Sequence, residues 1–428
     1  MEYSTPFDVK SMYPYVLNSK PYANSHPSKI IIDQSEMDYT MQSHEGIVSV
    51  TILPPRGLYI PILPLRSKNG KLKFPLCRSC AERESVDTCT CTDQERCITG
   101  TYTSMEIKAA LQRGYRIMKI HEIYQYDDFM QGEESIFNQY ISIFLKLKEE
   151  SSGYPSYIHT EEEKDQYIKH FYEKQGIQLD KSKMQKNPAL RYICKQYLNS
   201  LWGKYIQTNN KTKTSYIKTM AQYAELANNP TKSVKNFSVV NEDVILLECE
   251  QLSQFPEEDT FQNAMIGIQT ASFGRLHLLD LLEKAGEQCI YCDTDSVVFS
   301  HDSTKPLPFT EGYLLGDVVS ELKPGTHITE FVSSGPKSYA YSCSDNTNVV
   351  KLKGITRNFI NCQHIDIDVM KSVVFGHTPS VTLPPQTQIC RDKVKAVIFN
   401  RQQRKTYQKV FDKRVVVSDS YNTIPYGF

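Results

Sequence analysis

The run Cys289-Ile290-Tyr291-Cys292-Asp293-Thr294-Asp295-Ser296-Val297-Val298-Phe299 is apolar, then acidic, then apolar. It reads as strand, turn, strand with the acids at the tip. Asp293 and Asp295 are two positions apart, a spacing that points both side chains the same way in an extended chain. Carboxylates so placed are hard oxygen donors suited to Mg²⁺, which keeps waters and phosphate oxygens in its shell. Two such ions about 4 Å apart can hold the attacking and leaving oxygens of a phosphoryl transfer. The bland alternative is an Asx-turn in a hairpin. The apolar flanks imply a buried sheet, where two unneutralised acids would be costly, and so favour the metal.

A third acid lies far away in sequence, in Phe7-Asp8-Val9-Lys10-Ser11-Met12-Tyr13-Pro14. Alone it reads as a turn residue. Beside the pair near 293 it would complete a two-metal site from a separate strand. A matching cationic element follows Asn187-Pro188, an N-cap with proline at the first helical position. The helix it opens is expected to reach about Tyr205. Arg191, Lys195 and Asn199 fall at i, i+4 and i+8 and share one face, which offers two cations and an amide to a triphosphate. Residues 180–213 hold eight basic residues against one acidic. A solvated helix face has the same composition, so this stripe gains meaning only beside the carboxylates. Leu190, Ile193, Tyr197, Leu198 and Leu201 lie elsewhere on the helix and are expected to pack.

Five of the twelve cysteines crowd into Cys77–Cys97. Cys77 and Cys80 have the C-x-x-C spacing of a zinc pair. Cys89 and Cys91 form a C-x-C pair of poorer geometry. Zinc and a set of free thiols in a reduced insertion are both open on spacing alone.

The elements that must position these groups can be read more coarsely. A chain of 428 residues allows about three domains. Lys plus Arg and Asp plus Glu are both 49, so the net charge is zero and a uniformly basic coat is excluded. Local patches remain: residues 387–428 carry nine basic residues against three acidic, and 242–259 hold seven acidic residues with no basic one. No apolar run approaches the roughly 18–20 residues of a membrane helix, and the first residues lack the order of a signal peptide. Sparse cysteine fits a reduced, intracellular setting. Residues 45–65 start as a strand and end in a proline-broken loop. Helices are expected at Thr103–Gly114 with Ser104 as N-cap, at 133–150, after the capping box of Thr160 and Glu163, and at 262–284. Residues 209–258 read as polar and irregular.

In their order, the three motifs resemble those of family B DNA polymerases. Asp8-x-x-Ser11-Met12-Tyr13-Pro14 resembles motif A (DxxSLYP). Lys195-x-x-x-Asn199-Ser200-x-Trp202-Gly203 resembles motif B (KxxxNSxYG), with Trp202 where tyrosine is usual. Tyr291-x-Asp293-Thr294-Asp295-Ser296 resembles motif C (YxDTDS). Lys337-Ser338-Tyr339 is similar to the KxY motif of the protein-primed branch, and Lys351-x-Lys353-Gly354 to a basic element beyond it. The likeness spans nearly the whole chain. It is closest to the viral and organellar type, and within that to polymerases of Maverick/Polinton-like elements and related viruses. The cysteine-rich stretch Leu76–Cys80 and the following Gly100–Ser104 also resemble that subgroup.

The resemblance implies an α+β right-hand polymerase core with an antiparallel palm sheet, helical fingers, insertions and a small thumb. The expected divisions are palm at 1–66 with motif A, a cysteine-rich insertion at 67–132 and fingers at 133–208. A polar insertion at 209–258, further palm at 259–345 and a thumb-like region at 346–428 complete it. Asp8, Asp293 and Asp295 would hold two Mg²⁺ ions. Ser11, Tyr13, Lys148, Arg191, Lys195 and Asn199 would bind the nucleotide, with Tyr13 excluding a ribose 2′-OH. Gly203, Lys337, Tyr339, Lys351 and Lys353 would contact DNA. Cys77, Cys80, Cys89 and Cys91 would be the zinc candidates. The implied partners are template-primer DNA, dNTPs and a terminal priming protein, with no membrane. The implied setting is intracellular and soluble, in the nucleus or at a viral replication site. The chain starts seven residues before Asp8, where relatives carry a 3′–5′ exonuclease, so proofreading is not expected. Two alternatives stand beside this reading: an inactive polymerase-fold fragment that only binds DNA, and another two-metal palm enzyme such as a reverse transcriptase.

Overall fold

The first strand, Glu2–Val9, alternates: Phe7 and Val9 are buried, and Asp8 between them belongs to the other face. In the computed structural model, which describes residues 2–207, 211–255, 262–302, 304–309, 311–392, 397–417 and 420–428, this strand lies inside an antiparallel sheet. The order is Cys289–Asp293, Ser296–Asp302, Glu2–Val9, Ile328–Gly335, Ser338–Cys343, Asn348–Lys351, and Val318–Ser320 also pairs with Glu2–Val9. One face is packed by the long helix Ala264–Ala285: its Leu281 and Ala285 join Phe7, Val9, Met12, Val297, Phe299 and Val318 in a core. That burial leaves the Asp8 face free of the helix. The architecture is α+β with antiparallel sheets, as the sequence implies.

The chain divides into two compact units, 1–202 with 265–380 and 408–428, and 203–264 with 381–407. The first unit holds a second antiparallel sheet, in the order Lys29–Ile31, Arg116–Gln125, Gly46–Leu53, Ile98–Thr103. Val48, Val50, Ile52, Ile98, Ile120 and Ile123 fill its core together with Leu279 of the long helix. Buried Glu106 ties the two, accepting from Thr103 Oγ1 (3.0 Å), Ser272 Oγ (2.8 Å) and Arg275 Nε (2.8 Å). This sheet takes strands from both sides of the 66/67 division expected from the sequence. The helix beside it is Ser104–Leu111, capped by Thr103 rather than Ser104, because the Thr103 hydroxyl and the Glu106 carboxylate form the capping box. Asn187 does cap the helix Pro188–Tyr205 through its side chain (3.1 Å to Leu190 N), and Thr160 and Glu163 cap Glu161–Gln175.

The second unit overturns the reading of 209–258 as irregular. Lys213–Ile217, Val244–Gln251 and Lys232–Asn241 form a three-stranded antiparallel sheet. Ile217, Leu247 and Cys249 make its small core. Val234, Phe237 and Val239 stay exposed, so the sheet has one thin apolar face and its sequence reads as polar. Residues 209–210 and 256–258 of that segment lie outside the described residues, as does 256–259 of the acidic stretch. So do 208, 259–261, 303, 310, 393–396 and 418–419 in the neighbouring divisions. No helix among the described residues is long and apolar enough to cross a membrane.

Candidate active site

Asp8 and the 293–296 turn meet because their strands are neighbours. Asp8 is opposite Ser296 in the ladder, and Val9 N donates to Asp295 O at 2.9 Å. The turn is tight: Asp293 pairs with Ser296, Asp295 N donates to Asp293 O (2.5 Å), and Thr294 takes a positive φ of 50°. The two acids therefore do not relate as i and i+2 of an extended strand. A hairpin turn carries them, and its left-handed Thr294 re-aims Asp295 towards the first strand. The first flank is also less buried than its composition suggests, since Cys289–Asp293 is the sheet edge and Ile290 is 43% exposed.

Charge accumulates here. Burial, and then the nearby Asp295 and Glu321 carboxylates, push Asp8 up to about 7, with Lys195 opposing. Burial and Asp293 raise Asp295 as well. Two half-buried acids that resist ionisation in the bare protein form a site that calls for cations. The donor set is all oxygen, which fits Mg²⁺. Asp293 is already paired: Lys337 Nζ donates to both its oxygens at 2.9 and 3.0 Å. Lys337 sits at positive φ in the turn between Ile328–Gly335 and Ser338–Cys343, and its N–H donates to Tyr291 Oη (2.9 Å). The Tyr339 ring lies 4.9 Å from that of Tyr291. Lys351 pairs with Tyr339 on the next strand, and Lys353 N donates to Ser338 Oγ (3.1 Å). The sheet thus gathers Asp8, Asp293, Asp295, Lys337 and Tyr339, with Lys351 on the strand paired to Tyr339 and Lys353 just beyond it.

The helices bring cations. Lys148, on Asn138–Glu150, is 3% exposed and reaches Ser11 Oγ at 3.4 Å. Burial first, then Lys10, Arg191 and Lys195, hold its ammonium down at about 8. Arg191 Nε donates to Ser152 Oγ (3.0 Å). Only Cys194 and Leu198 of the Pro188–Tyr205 helix are buried; Leu190, Ile193 and Tyr197, expected to pack, are exposed. The helix is held along one stripe, where Tyr140 Oη donates to Tyr197 O (3.2 Å) and the Phe144 and Tyr197 rings stack at 4.8 Å. Its remaining surface, with Arg191 and Lys195, is open. Tyr13 and Trp202 rings are 4.7 Å apart, and Gly274 lets the long helix approach Met12 and Tyr13, since a Cβ there would meet Met12 Cε at 3.0 Å and Tyr13 Cε1 at 3.4 Å. Asn199 is partly buried on the Pro188–Tyr205 helix. Gly203 belongs to the second unit.

Sequence reasoning missed Lys10 and Glu321 as members of this site. Lys10 Nζ donates to Tyr313 O and lies 4.0 Å from Glu149 Oε2. Glu321 N donates to Pro6 O (3.0 Å), which fixes it beside the first strand. Only the pairing of Glu2–Val9 with residues more than 300 positions away reveals either, and no local pattern marks them. Cys77, Cys80, Cys89 and Cys91 converge in their own cluster, with ligand atoms within 4.8 Å of one another.

The profile of a family described as DNA polymerase type B, organellar and viral, matches residues 3–158 and 156–287. A DNA polymerase of Kluyveromyces lactis is 23% identical over 370 residues, which cover 82% of this chain and 31% of that protein. Phi29 DNA polymerase in a ternary complex with primer-template DNA and incoming nucleotide superposes with a TM-score of 0.58 at 14% identity, over 95% of this chain and 59% of the other. Its orthorhombic crystal form gives 0.56 at 15% identity, over 95% and 58%. These structural likenesses are of fold. The chain spans about a third of the curated relative it matches and 59% of the phi29 chain in the ternary complex.

Proposed function

This chain belongs to the type B DNA polymerases of the organellar and viral family, and on that premise we propose that it adds deoxynucleotides to a primer 3′-OH under template direction, releasing pyrophosphate. The observation that carries the reading is the meeting of Asp8 with the Asp293–Asp295 turn on adjacent strands, opposite a cation set drawn from two helices.

Asp8, Asp293 and Asp295 would hold two Mg²⁺ ions. Such ions supply charge neutralisation for the transferring phosphoryl group and lower the pKa of the attacking hydroxyl. The protein's own contribution is mostly positioning and electrostatics, as this chemistry requires. Lys148, Arg191 and Lys195, with Lys10 behind them, draw in the triphosphate, and Ser11 steers Lys148. Tyr13, backed by Trp202, lies under the sugar and excludes a ribose 2′-OH; Asn199 lines the pocket. Lys337 and Tyr339 steady the primer end, with Gly203, Lys351 and Lys353 on DNA phosphates. Contacts of that kind position the duplex and leave sequence to template pairing.

In this reading 1–66 and 259–345 serve as palm, 133–208 as fingers and 346–428 as a thumb-like region, with insertions at 67–132 and 209–258. Priming from a protein hydroxyl, supported by the Lys337-Ser338-Tyr339 element, makes a terminal protein the further partner. The enzyme would act where its template genome replicates, in the nucleus or at a viral replication site. The test is primer extension with Mg²⁺ and dNTPs, comparing this chain with Asp295→Asn. Incorporation by the parent and loss in the variant is expected. Equal incorporation by both rejects the site, and no incorporation by either, with template still bound, gives the reading to a DNA-binding fragment.

A further inference from the structure

The four sulfurs of Cys77, Cys80, Cys89 and Cys91 come from two separate segments, yet all lie within 4.8 Å of one another and are 0–8% exposed. All four are free thiols. Cys80 Sγ and Cys91 Sγ are 3.9 Å apart. Tetrahedral zinc with Zn–S bonds of about 2.3 Å requires sulfurs about 3.8 Å apart. Cys77 caps the short helix Arg78–Arg83, and Cys80 N donates to Cys77 Sγ (3.4 Å), a backbone hydrogen bond that stabilises a thiolate. Arg56 grips the second pair from behind, donating to Cys89 O (3.2 Å) and Cys91 O (3.0 Å). Arg83 Nη2 reaches Cys91 Sγ at 3.4 Å. Four thiolates around one divalent ion leave two negative charges, and the Arg83 guanidinium faces them.

Simple packing would not need this arrangement. Cysteine packs as a small hydrophobe, but nothing in packing requires four sulfurs to face one another. The 84–92 stretch that delivers Cys89 and Cys91 forms no strand or helix, and a central ion would hold it. We propose that Cys77, Cys80, Cys89 and Cys91 bind one structural zinc ion in a closed, all-thiolate site. This site would also seat residues 424–427. Leu76 N donates to Tyr426 O at 2.8 Å. Gly427, at φ +85°, lies so close that a Cβ would meet Cys77 Cβ at 2.3 Å. The inference does not depend on polymerase activity.

The test is metal analysis of the full chain, purified without chelator. About one zinc per chain is expected, falling at least tenfold in Cys80→Ser. Cys97→Ser should keep its zinc, because Cys97 is buried nearby but outside the cluster. If Cys80→Ser fails to fold, the parent protein still decides the matter. Titrating its thiols with an organomercurial should release zinc to a chromogenic chelator, and the cobalt-loaded protein should show thiolate-to-metal charge-transfer absorption. Absence of zinc, iron in its place, or undiminished zinc in a folded Cys80→Ser protein would each overturn the proposal.

Discussion

The carboxylate centre and the cation set, which in the proposed function would serve one substrate, are held in opposite ways. Asp8 rides on a hydrogen-bonded strand, and Asp295 on the tight turn that joins the two strands beside it, in a sheet whose other face is closed by Phe7, Val9, Val297 and Leu281. Arg191 and Lys195 ride on a helix with two buried side chains, Cys194 and Leu198. The first arrangement fixes charge where displacement would be ruinous. The second leaves charge on an exposed helix surface with few buried anchors, where in the proposed function a triphosphate would be met. The difference predicts where mutations act: on the sheet they should abolish chemistry without changing the fold, and on the helix they should weaken nucleotide capture.

The largest effect is expected at the sheet. Asp295→Asn should lower primer extension by at least about 10³-fold, the scale for removing a preorganised charge from phosphoryl transfer. Its melting temperature should stay within a few degrees of the parent, because the hairpin is held by backbone bonds. A large loss of stability in its place would mean that Asp295 is a structural residue and would break the comparison. Next come Arg191→Ala and Lys195→Ala. Each should raise KM for dNTP about tenfold to a hundredfold, the worth of one charged hydrogen bond, with a smaller change in kcat. A kcat loss as large as that of Asp295→Asn would place these cations in the chemistry and erase the distinction.

Lys148 sharpens the comparison because it is a cation held in the sheet's manner, buried and pressed by Lys10, Arg191 and Lys195, with Glu149 favouring its charge. In the free protein its ammonium is held at about 8 against an ordinary 10.5. In the proposed function its attraction for triphosphate would be largely present at pH 7 and would fade as pH rises through about 8. The parent's KM for dNTP should rise several-fold between about pH 8 and 9, and Lys148→Met should flatten that rise while raising KM at pH 7. The sign for stability is opposite. Burying the ammonium carries its full cost below the folded value, and the cost fades as pH rises from 8 towards 10.5. Lys148→Met should thus melt higher than the parent at pH 7, and a lower melting temperature would contradict the account.

How much of this was legible in the sequence follows from how far each determinant reaches. The Asn187 cap and the Thr160–Glu163 box involve neighbours three residues apart, and both stand as read. The α+β class and the family were carried by short motifs around Asp8, Lys195 and Asp293–Asp295 that can be read from local sequence. The strand, turn, strand order around the acids was legible and stands; the left-handed backbone at Thr294 was not, and it changes how Asp293 and Asp295 relate, where spacing alone assumes an extended chain. Glu321 and Lys10 became visible only when strand pairing brought distant segments beside the first strand. The sheet at 213–251 was hidden for another reason. With Val234, Phe237 and Val239 on an open face, its alternation carries little contrast between inside and outside, which is the signal a strand usually gives.

The smallest effect tests where the two regions touch. Trp202, near the end of the motif B helix, lies 4.7 Å from Tyr13, which opens the helix just after the Asp8 strand. An aromatic pair of this kind contributes about 0.5–1.5 kcal/mol beyond its buried area, so its loss should be worth roughly two- to tenfold. Trp202→Tyr keeps a ring against Tyr13 and should leave kcat/KM for dNTP within about twofold. Trp202→Ala should lower it several-fold and also relax discrimination against ribonucleotides, because Tyr13 loses the support that holds it under the sugar. Measuring dNTP and rNTP incorporation side by side separates the outcomes. A uniform loss with unchanged discrimination would make Trp202 a packing residue of the helix alone. A selective gain in rNTP use would show that the open helix, through one ring, sets the shape of a pocket whose floor belongs to the rigid sheet.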